Sequence, residues 1–89
     1  MKLKYKFVIN EVADQMVAVV IGDDLEKFNG FVKMNDIGAY IFKKLENDVT
    51  EDMIVADMVK DYPDATEAEI RETVSGFITG LKEKDLITE

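Results

Sequence analysis

Cysteine and histidine are both absent from the 89-residue chain. Without cysteine there is no disulfide and no thiolate, and without histidine there is no imidazole ligand and no ordinary acid–base side chain for neutral pH. The sequence also has no glycine-rich phosphate loop, and its acidic residues do not follow the alternating spacing of a calcium-binding loop. These absences exclude most catalytic mechanisms. We therefore predict a protein that is not an enzyme and that uses no metal and no cofactor.

Basic residues are scarce. Eleven Lys and Arg stand against nineteen Asp and Glu, which gives a formal net charge of −8. The acidic excess lies in the second half of the chain, because residues 1–45 carry seven basic and six acidic side chains whereas residues 46–89 carry four and thirteen. Since proteins bind phosphate backbones mainly through cationic side chains, we predict that the chain does not bind nucleic acid.

Long apolar runs are absent as well. The longest, residues 16–21, has six residues, whereas a membrane-spanning helix needs about 20. The first residues do not lead into the apolar segment of a secretory signal. We predict a cytoplasmic protein without a membrane segment.

The first part of the chain has the pattern of β-structure. Residues 6–10 and 16–21 are rich in β-branched and aromatic residues, and the polar stretch between them, residues 10–15, predicts the turn of a hairpin. Residues 22–24 then break the pattern, and Asn29-Gly30 predicts a turn before a third short strand. We therefore expect three strands between about residues 5 and 34.

The second part, about residues 36–84, has helical spacing. Apolar residues recur three and four positions apart in three segments, which predicts three helices. Asn35 is a good N-cap for the first helix, and Pro63 ends the second. Thr66 opens a capping-box pattern at the start of the third and longest helix. The aliphatic residues at 86–87 are expected to fold back over the core, since they gain little by remaining in water.

Three strands followed by three helices in a chain of this length predict a single α+β domain over residues 1–89, with helices packed on one face of a three-stranded antiparallel sheet. An uncovered edge of such a sheet can pair with another chain. The third strand, Phe31, Val32, Lys33 and Met34, contains no proline and only one lysine, so it can accept a peptide by strand addition. The alternative is an ordinary interior strand or one that a helix covers.

The third helix contains two glycines four residues apart, Gly76 and Gly80, with Thr73 three residues before the first. Each glycine costs about 1 kcal/mol relative to alanine in a helix interior, so the small residues are expected to have a role. One interpretation is that another element of the domain approaches closely or that the helix kinks. The other is that they form one wall of a peptide groove, in which case Ser75 beside them can hydrogen-bond a ligand.

Arg71, in the same helix, is the single arginine of the chain. One interpretation pairs it with Glu67, four residues earlier on the same helix face. The other assigns its guanidinium to a carboxylate or a peptide carbonyl in the groove. Lys33 can act in the same way from the third strand.

Several segments together resemble the PqqD-like family, named after pyrroloquinoline quinone biosynthesis protein D. They are the β-rich start, the strand-to-helix junction at residues 34–45, Tyr62 at the end of the second helix, and residues 77–81 ahead of Leu86-Ile87. The resemblance covers nearly the whole chain. It implies a winged-helix-like fold and a non-catalytic domain that recognises the leader of a ribosomally made precursor peptide. It also implies a modifying enzyme as partner, often a radical SAM maturase.

In this family the leader adds as a strand beside the third strand and rests against the third helix. The resemblance therefore implies a peptide-binding site at Phe31, Val32, Lys33, Met34, Arg71, Val74, Ser75 and Ile78. Two other functions stay open: a winged-helix transcription regulator, and a small homodimer formed through the third strand. Phosphate would repel the glutamates in the opening turns of the third helix, which argues against the regulator. The uncovered strand edge is what favours the homodimer.

Overall fold

The computed structural model describes residues 1–22 and 30–88. The strands in these residues are β1 Lys2–Leu3, β2 Phe7–Val12, β3 Gln15–Val20, β4 Phe31–Met34 and β5 Ile87–Thr88, and the helices are α1 Asp36–Lys44, α2 Glu51–Asp61 and α3 Glu67–Glu83. Most of the predicted chain break at residues 22–24 and half of the predicted Asn29-Gly30 turn lie outside the described residues.

The central sheet has the order β2-β3-β4, and both pairings are antiparallel. Val12 pairs with Gln15, so the hairpin turn consists of Ala13 and Asp14 alone. The predicted turn over residues 10–15 was therefore too long, because polar residues such as Asn10 and Glu11 are also suited to the exposed end of a strand pair. Ala13 has a φ of 56°, in the left-handed region that tight two-residue hairpin turns require.

The helix ends follow the predicted capping chemistry. The Asn35 side chain accepts a hydrogen bond from the Gly38 N–H at 2.8 Å and caps α1. Thr66 and Glu69 form the reciprocal capping box at the start of α3. α2 ends at Asp61, two residues before Pro63, because proline cannot continue a helix. The prediction of three helices is confirmed.

A second, two-stranded sheet was not predicted. β1 pairs antiparallel with β5, so that Leu3 lies opposite Ile87. The expected return of the chain end over the core is confirmed, since the Leu86 side chain is fully buried. Two-residue strands have no period to detect, and this pairing joins residues from opposite ends of the chain.

The hydrophobic core lies between the helices and one face of the central sheet. Its largest fully buried side chains come from the helical part of the chain and from Leu86 after it: Phe42, Ile41, Leu45, Ile54, Met58, Leu86, Val55 and Val74. The sheet contributes Ala18, Val32 and Met34 to the same cluster. One face of the sheet is thus covered by helices, whereas its opposite face lies away from them. No helix in the described residues is long and apolar enough to cross a membrane.

Candidate functional site

The strand β4 forms one edge of the central sheet. Among the described residues it pairs only with β3, through a register that runs from Met16 opposite Met34 to Val19 opposite Phe31. In an antiparallel pair, alternate residues point their N–H and C=O groups away from the partner strand. Two of the four β4 residues therefore offer both groups to the side that no described strand occupies.

A groove opens where β4 ends. This α1–α3 groove has a volume of about 600 Å³ and lies between the start of α1 and the first three turns of α3. The α1 side consists of Asn35, Ile37, Gly38 and Ile41, and the α3 side consists of Glu69, Glu72, Thr73, Gly76 and Phe77. Asn35, which directly follows Met34, lines the groove, so the groove begins where β4 ends.

Two smaller cavities extend the groove in opposite directions. One of about 220 Å³ shares Asn35 with it and reaches Lys33 and the hairpin residue Asp14. The other, of about 140 Å³, shares Ile37, Glu69 and Thr73 and reaches the apolar surface around Met58, Tyr62 and Ile70. Together they form a continuous depression from the hairpin turn, past the end of β4, to the N-terminal half of α3.

Gly38 makes the closest approach at this site. A Cβ atom at this position would lie 2.8 Å from Phe77 Cε1 and 3.0 Å from Met34 Cβ, both closer than normal packing allows. Glycine at position 38 therefore lets α1 approach the end of β4 and the Phe77 ring on α3. Sequence reasoning used Gly38 only as part of a family pattern, although its place three residues after the cap Asn35 identifies it as a first-turn residue of α1.

Gly76 and Gly80 are surrounded differently. A Cβ atom at either position would meet no atom of the described residues within 4 Å outside its own helix backbone and chain neighbours. The interpretation that these glycines allow another element of the domain to approach closely is therefore wrong. Gly76 instead lies in the wall of the α1–α3 groove, where the missing side chain leaves open space.

The four α3 residues implied by the family resemblance lie outside the groove, two in the core and two on the exposed surface of the helix. Val74 and Ile78 are buried in the core. Arg71 and Ser75 are exposed and share one face of α3, since they lie four positions apart; each is two positions from Thr73, which therefore points in a different direction. Neither lines the α1–α3 groove.

The partner of Arg71 also differs from the predicted one. Its Nη1 donates to Asp52 Oδ1 of α2 at 2.8 Å, rather than to Glu67. This hydrogen bond raises the pKa of the Arg71 guanidinium. Both side chains are exposed to solvent, so the pair lies on the surface between α2 and α3 and leaves Arg71 already engaged with a carboxylate.

The side chains of β4 point alternately to the two faces of the sheet. Val32 and Met34 point into the core, and Phe31 and Lys33 point away from it. Of the eight residues implied by the resemblance, Lys33 and Met34 line one of the three cavities at this site, namely the one beside the hairpin turn. The sequence did not indicate Asn35, Gly38, Glu72 or Phe77 as groove residues. It indicated Thr73 and Gly76 only as one possible wall of a peptide groove.

The groove wall on α3 is acidic. Glu69 and Glu72 both line it. Hydrogen bonds from the Thr66 side chain and backbone lower the pKa of Glu69, which keeps its carboxylate charged. Among the described residues, no three acidic side chains lie close enough together to hold a metal ion. The site therefore offers backbone hydrogen bonds, a smooth apolar floor and negative charge.

Comparison with known proteins shows the family of this chain. The family model described as Coenzyme PQQ synthesis protein D (PqqD) matches residues 15–87. The chain belongs to the PqqD family. A solved structure of TbiB1 in complex with the TbiA(beta) leader peptide is similar to this PqqD-family chain, with a TM-score of 0.72 at 20% sequence identity, over 97% of this chain and 93% of that one. A comparison with curated proteins found no match.

These findings confirm two predictions. The family resemblance is confirmed by the PqqD match over residues 15–87. The predicted α+β fold, a three-stranded antiparallel sheet followed by three helices, is confirmed by the structure and by its similarity to TbiB1.

Proposed function

We propose that this PqqD-family chain is a non-catalytic module that binds the leader of a ribosomally synthesised precursor peptide. The leader adds as a strand beside β4 and continues into the α1–α3 groove. The module then presents the peptide to a modifying enzyme, such as a radical SAM maturase. The proposed activity belongs to the cytoplasm, where a precursor is translated.

The observation that carries this proposal is the open edge of β4 next to the groove. A peptide strand paired there bonds backbone groups that no described strand pairs with, and main-chain pairing supplies affinity with little dependence on sequence. Side chains of the peptide then enter the groove beside Gly76, Thr73 and Phe77, which supplies selectivity. The PqqD family and the leader peptide in the TbiB1 complex support this proposal for a chain of the same fold.

The charge of the site favours a peptide that carries Lys or Arg. Glu69 and Glu72 line the groove, and the chain as a whole has a net charge of −8. Exposed charges attract each other across about 10 Å at ordinary salt and less at high salt. We expect peptide binding to weaken as salt is added, mainly through slower association.

Amide hydrogen exchange tests strand addition directly. In the free protein, the two β4 amides on the open side have no partner among the described strands and should exchange fast, whereas the two that bond β3 should exchange slowly. Saturating the protein with its precursor peptide should slow exchange at the two open-side amides of residues 31–34. Protection confined to other elements, with β4 unchanged, would contradict the proposed site.

A backbone-methylation scan of the leader distinguishes strand addition from a helix docked in the groove. N-methylation at successive leader positions should weaken binding at every second position, because only alternate residues of the added strand donate to β4. A helical ligand would instead lose affinity at nearly every interior position, because each helical N–H bonds to a carbonyl four residues earlier in its own chain. Methylation outside the paired segment provides the control and should leave the dissociation constant unchanged.

The two alternatives predict other results. A homodimer formed through β4 should sediment as a dimer that the peptide dissociates, because both compete for the same edge. A transcription regulator would need a cationic α3, but the start of this helix presents Glu67, Glu69 and Glu72. No observation favours either one over peptide binding.

A further inference from the structure

The face of the central sheet that points away from the helices is unusually apolar. We call it the outer face. It consists of the side chains that point outward from the three strands and from the residues that extend β2 and β3 at one end. These residues are Lys6, Val8, Asn10, Val12, Gln15, Val17, Val19, Ile21, Phe31 and Lys33. Alternation along the strands assigns these residues, since Val32 and Met34 between the outward β4 residues are buried in the core.

Its apolar side chains form continuous cross-strand rows rather than scattered positions. Val8 lies opposite Val19, and Val19 lies opposite Phe31, so one row crosses all three strands. Phe31 is 56% exposed and Val8 is 39% exposed, although both belong to well-paired strands. Single exposed apolar residues are normal on a protein surface, but a contiguous apolar patch marks an interaction site.

The charge of the outer face is opposite to that of the protein. Lys33 lies on the edge strand β4, and its Nζ is 5.7 Å from the centre of the Phe31 ring. Lys6 lies at the other end, where its carbonyl accepts a hydrogen bond from the Ile21 N–H at 3.0 Å and extends the strand pairing. No acidic side chain of the described strand residues points to this face, in a chain whose net charge is −8.

The apolar rows and the two lysines together indicate which kind of partner binds the outer face. A second copy packed face to face would bring lysines of the same face together, which like charges oppose. A membrane of anionic lipids would meet the two lysines but would be repelled by the rest of an acidic protein. A protein surface on which apolar side chains are flanked by carboxylates matches both the apolar rows and the two cations.

We infer that the outer face docks the enzyme that modifies the bound peptide, through an apolar patch of that enzyme bordered by Asp or Glu side chains. This inference rests on the proposed function, because it supplies the second contact that presentation requires. The two sites share Lys33, which also lines the cavity beside the hairpin turn, but they otherwise use different atoms. The peptide pairs with the backbone edge of β4, whereas the outer face offers side chains that stand perpendicular to the sheet, so both can be occupied at once.

Variants on β2 and β3 test the inference without touching β4. Val8→Thr combined with Val19→Thr keeps β-branched side chains in both strands but places hydroxyl groups in the centre of the patch, and Lys6→Glu reverses one of its charges. Val59→Thr is the matched control, because Val59 is exposed to nearly the same extent, 38%, on the helix α2.

Each protein is titrated separately with the purified modifying enzyme and with the precursor peptide. We expect the double variant and Lys6→Glu each to weaken enzyme binding by roughly tenfold, because a hydroxyl must be desolvated or a cation is lost from the interface. Val59→Thr should bind the enzyme as the unmodified chain does. All three variants should bind the peptide with unchanged affinity.

The outcomes separate the two proposals. Unchanged enzyme affinity in the outer-face variants, or no enzyme binding by the unmodified chain, overturns the docking surface and leaves peptide recognition intact. Absence of peptide binding by every protein overturns the proposed function itself. If the outer-face variants instead abolish a dimer seen by sedimentation, or abolish binding to vesicles of anionic phospholipid, the surface serves that occupant and the inference is wrong.

Discussion

Replacing the helical glycines of this chain with alanine tests how the α1–α3 groove is built. Alanine is favoured over glycine in a helix interior by about 1 kcal/mol. At Gly76 the added Cβ meets nothing within 4 Å, so no packing penalty offsets this gain. Gly76→Ala should therefore raise the free energy of unfolding by about 1 kcal/mol, which raises the melting temperature of a domain this small by roughly 4–8 °C.

The same substitution at Gly38 should have the opposite sign. The new Cβ would lie 2.8 Å from Phe77 Cε1 and 3.0 Å from Met34 Cβ. The Phe77 ring is the end of a side chain and can shift, but the Met34 Cβ is held by the β4 backbone. Overpacking of this kind costs about 1–3 kcal/mol, so after the helical gain Gly38→Ala should destabilise the protein by about 1 kcal/mol.

Urea unfolding followed by far-ultraviolet circular dichroism measures both effects, and Gly80→Ala serves as a second open-space control. In a double-mutant cycle, Phe77→Leu removes the Cε1 atom, so Gly38→Ala should cost less in that background. Gly76→Ala should also weaken peptide binding while it stabilises the fold, since it fills the groove. A stabilising Gly38→Ala or a destabilising Gly76→Ala would refute the packing described for the groove.

Three further substitutions test the rest of the fold. Asn35→Ala removes the cap of α1 and should lower the free energy of unfolding by about 1 kcal/mol in thermal denaturation. Leu86→Ala should cost about 3 kcal/mol by urea unfolding, because this side chain is fully buried beneath the chain end; a loss below about 1 kcal/mol would contradict that burial. The Thr66 capping box lowers the pKa of the Glu69 carboxyl below its ordinary value of 4.5. The charged carboxylate therefore contributes its full stability above pH 4.5, and this stability is lost as the pH falls through the lowered pKa. Glu69→Gln should accordingly flatten the dependence of the unfolding midpoint on pH in this acidic range, and an unchanged slope would argue against the link.

The local signals in the sequence were sufficient for most elements of the fold. The caps at Asn35 and Thr66 and the stop before Pro63 depend on residues within one helical turn of each boundary, which is why their chemistry can be read from the chain. The hairpin was found but its turn was predicted too long, because polar residues at an exposed strand end resemble turn residues. The sequence left open whether β4 is an edge strand or an interior strand, and the order β2-β3-β4 of the described strands places it at an edge.

The groove was harder to predict because its walls come from distant parts of the chain. Gly76 and Thr73 were recognised as small residues on one helix, but only the position of α1 shows which way they face. Arg71 illustrates the same limit. A partner four residues away was the natural expectation, yet the packing of α2 against α3 brings Asp52 within 2.8 Å of its guanidinium.

The sequence alone determined which side-chain types this protein lacks, its charge, the order of its three central strands and three helices, and the helix caps, because each depends on composition or on neighbours along the chain. Tertiary structure decided the pairing of β1 with β5, the path of the groove, and the separation of an acidic groove from an apolar outer face with two lysines. These depend on how the helices lie across the sheet, and no local pattern records that.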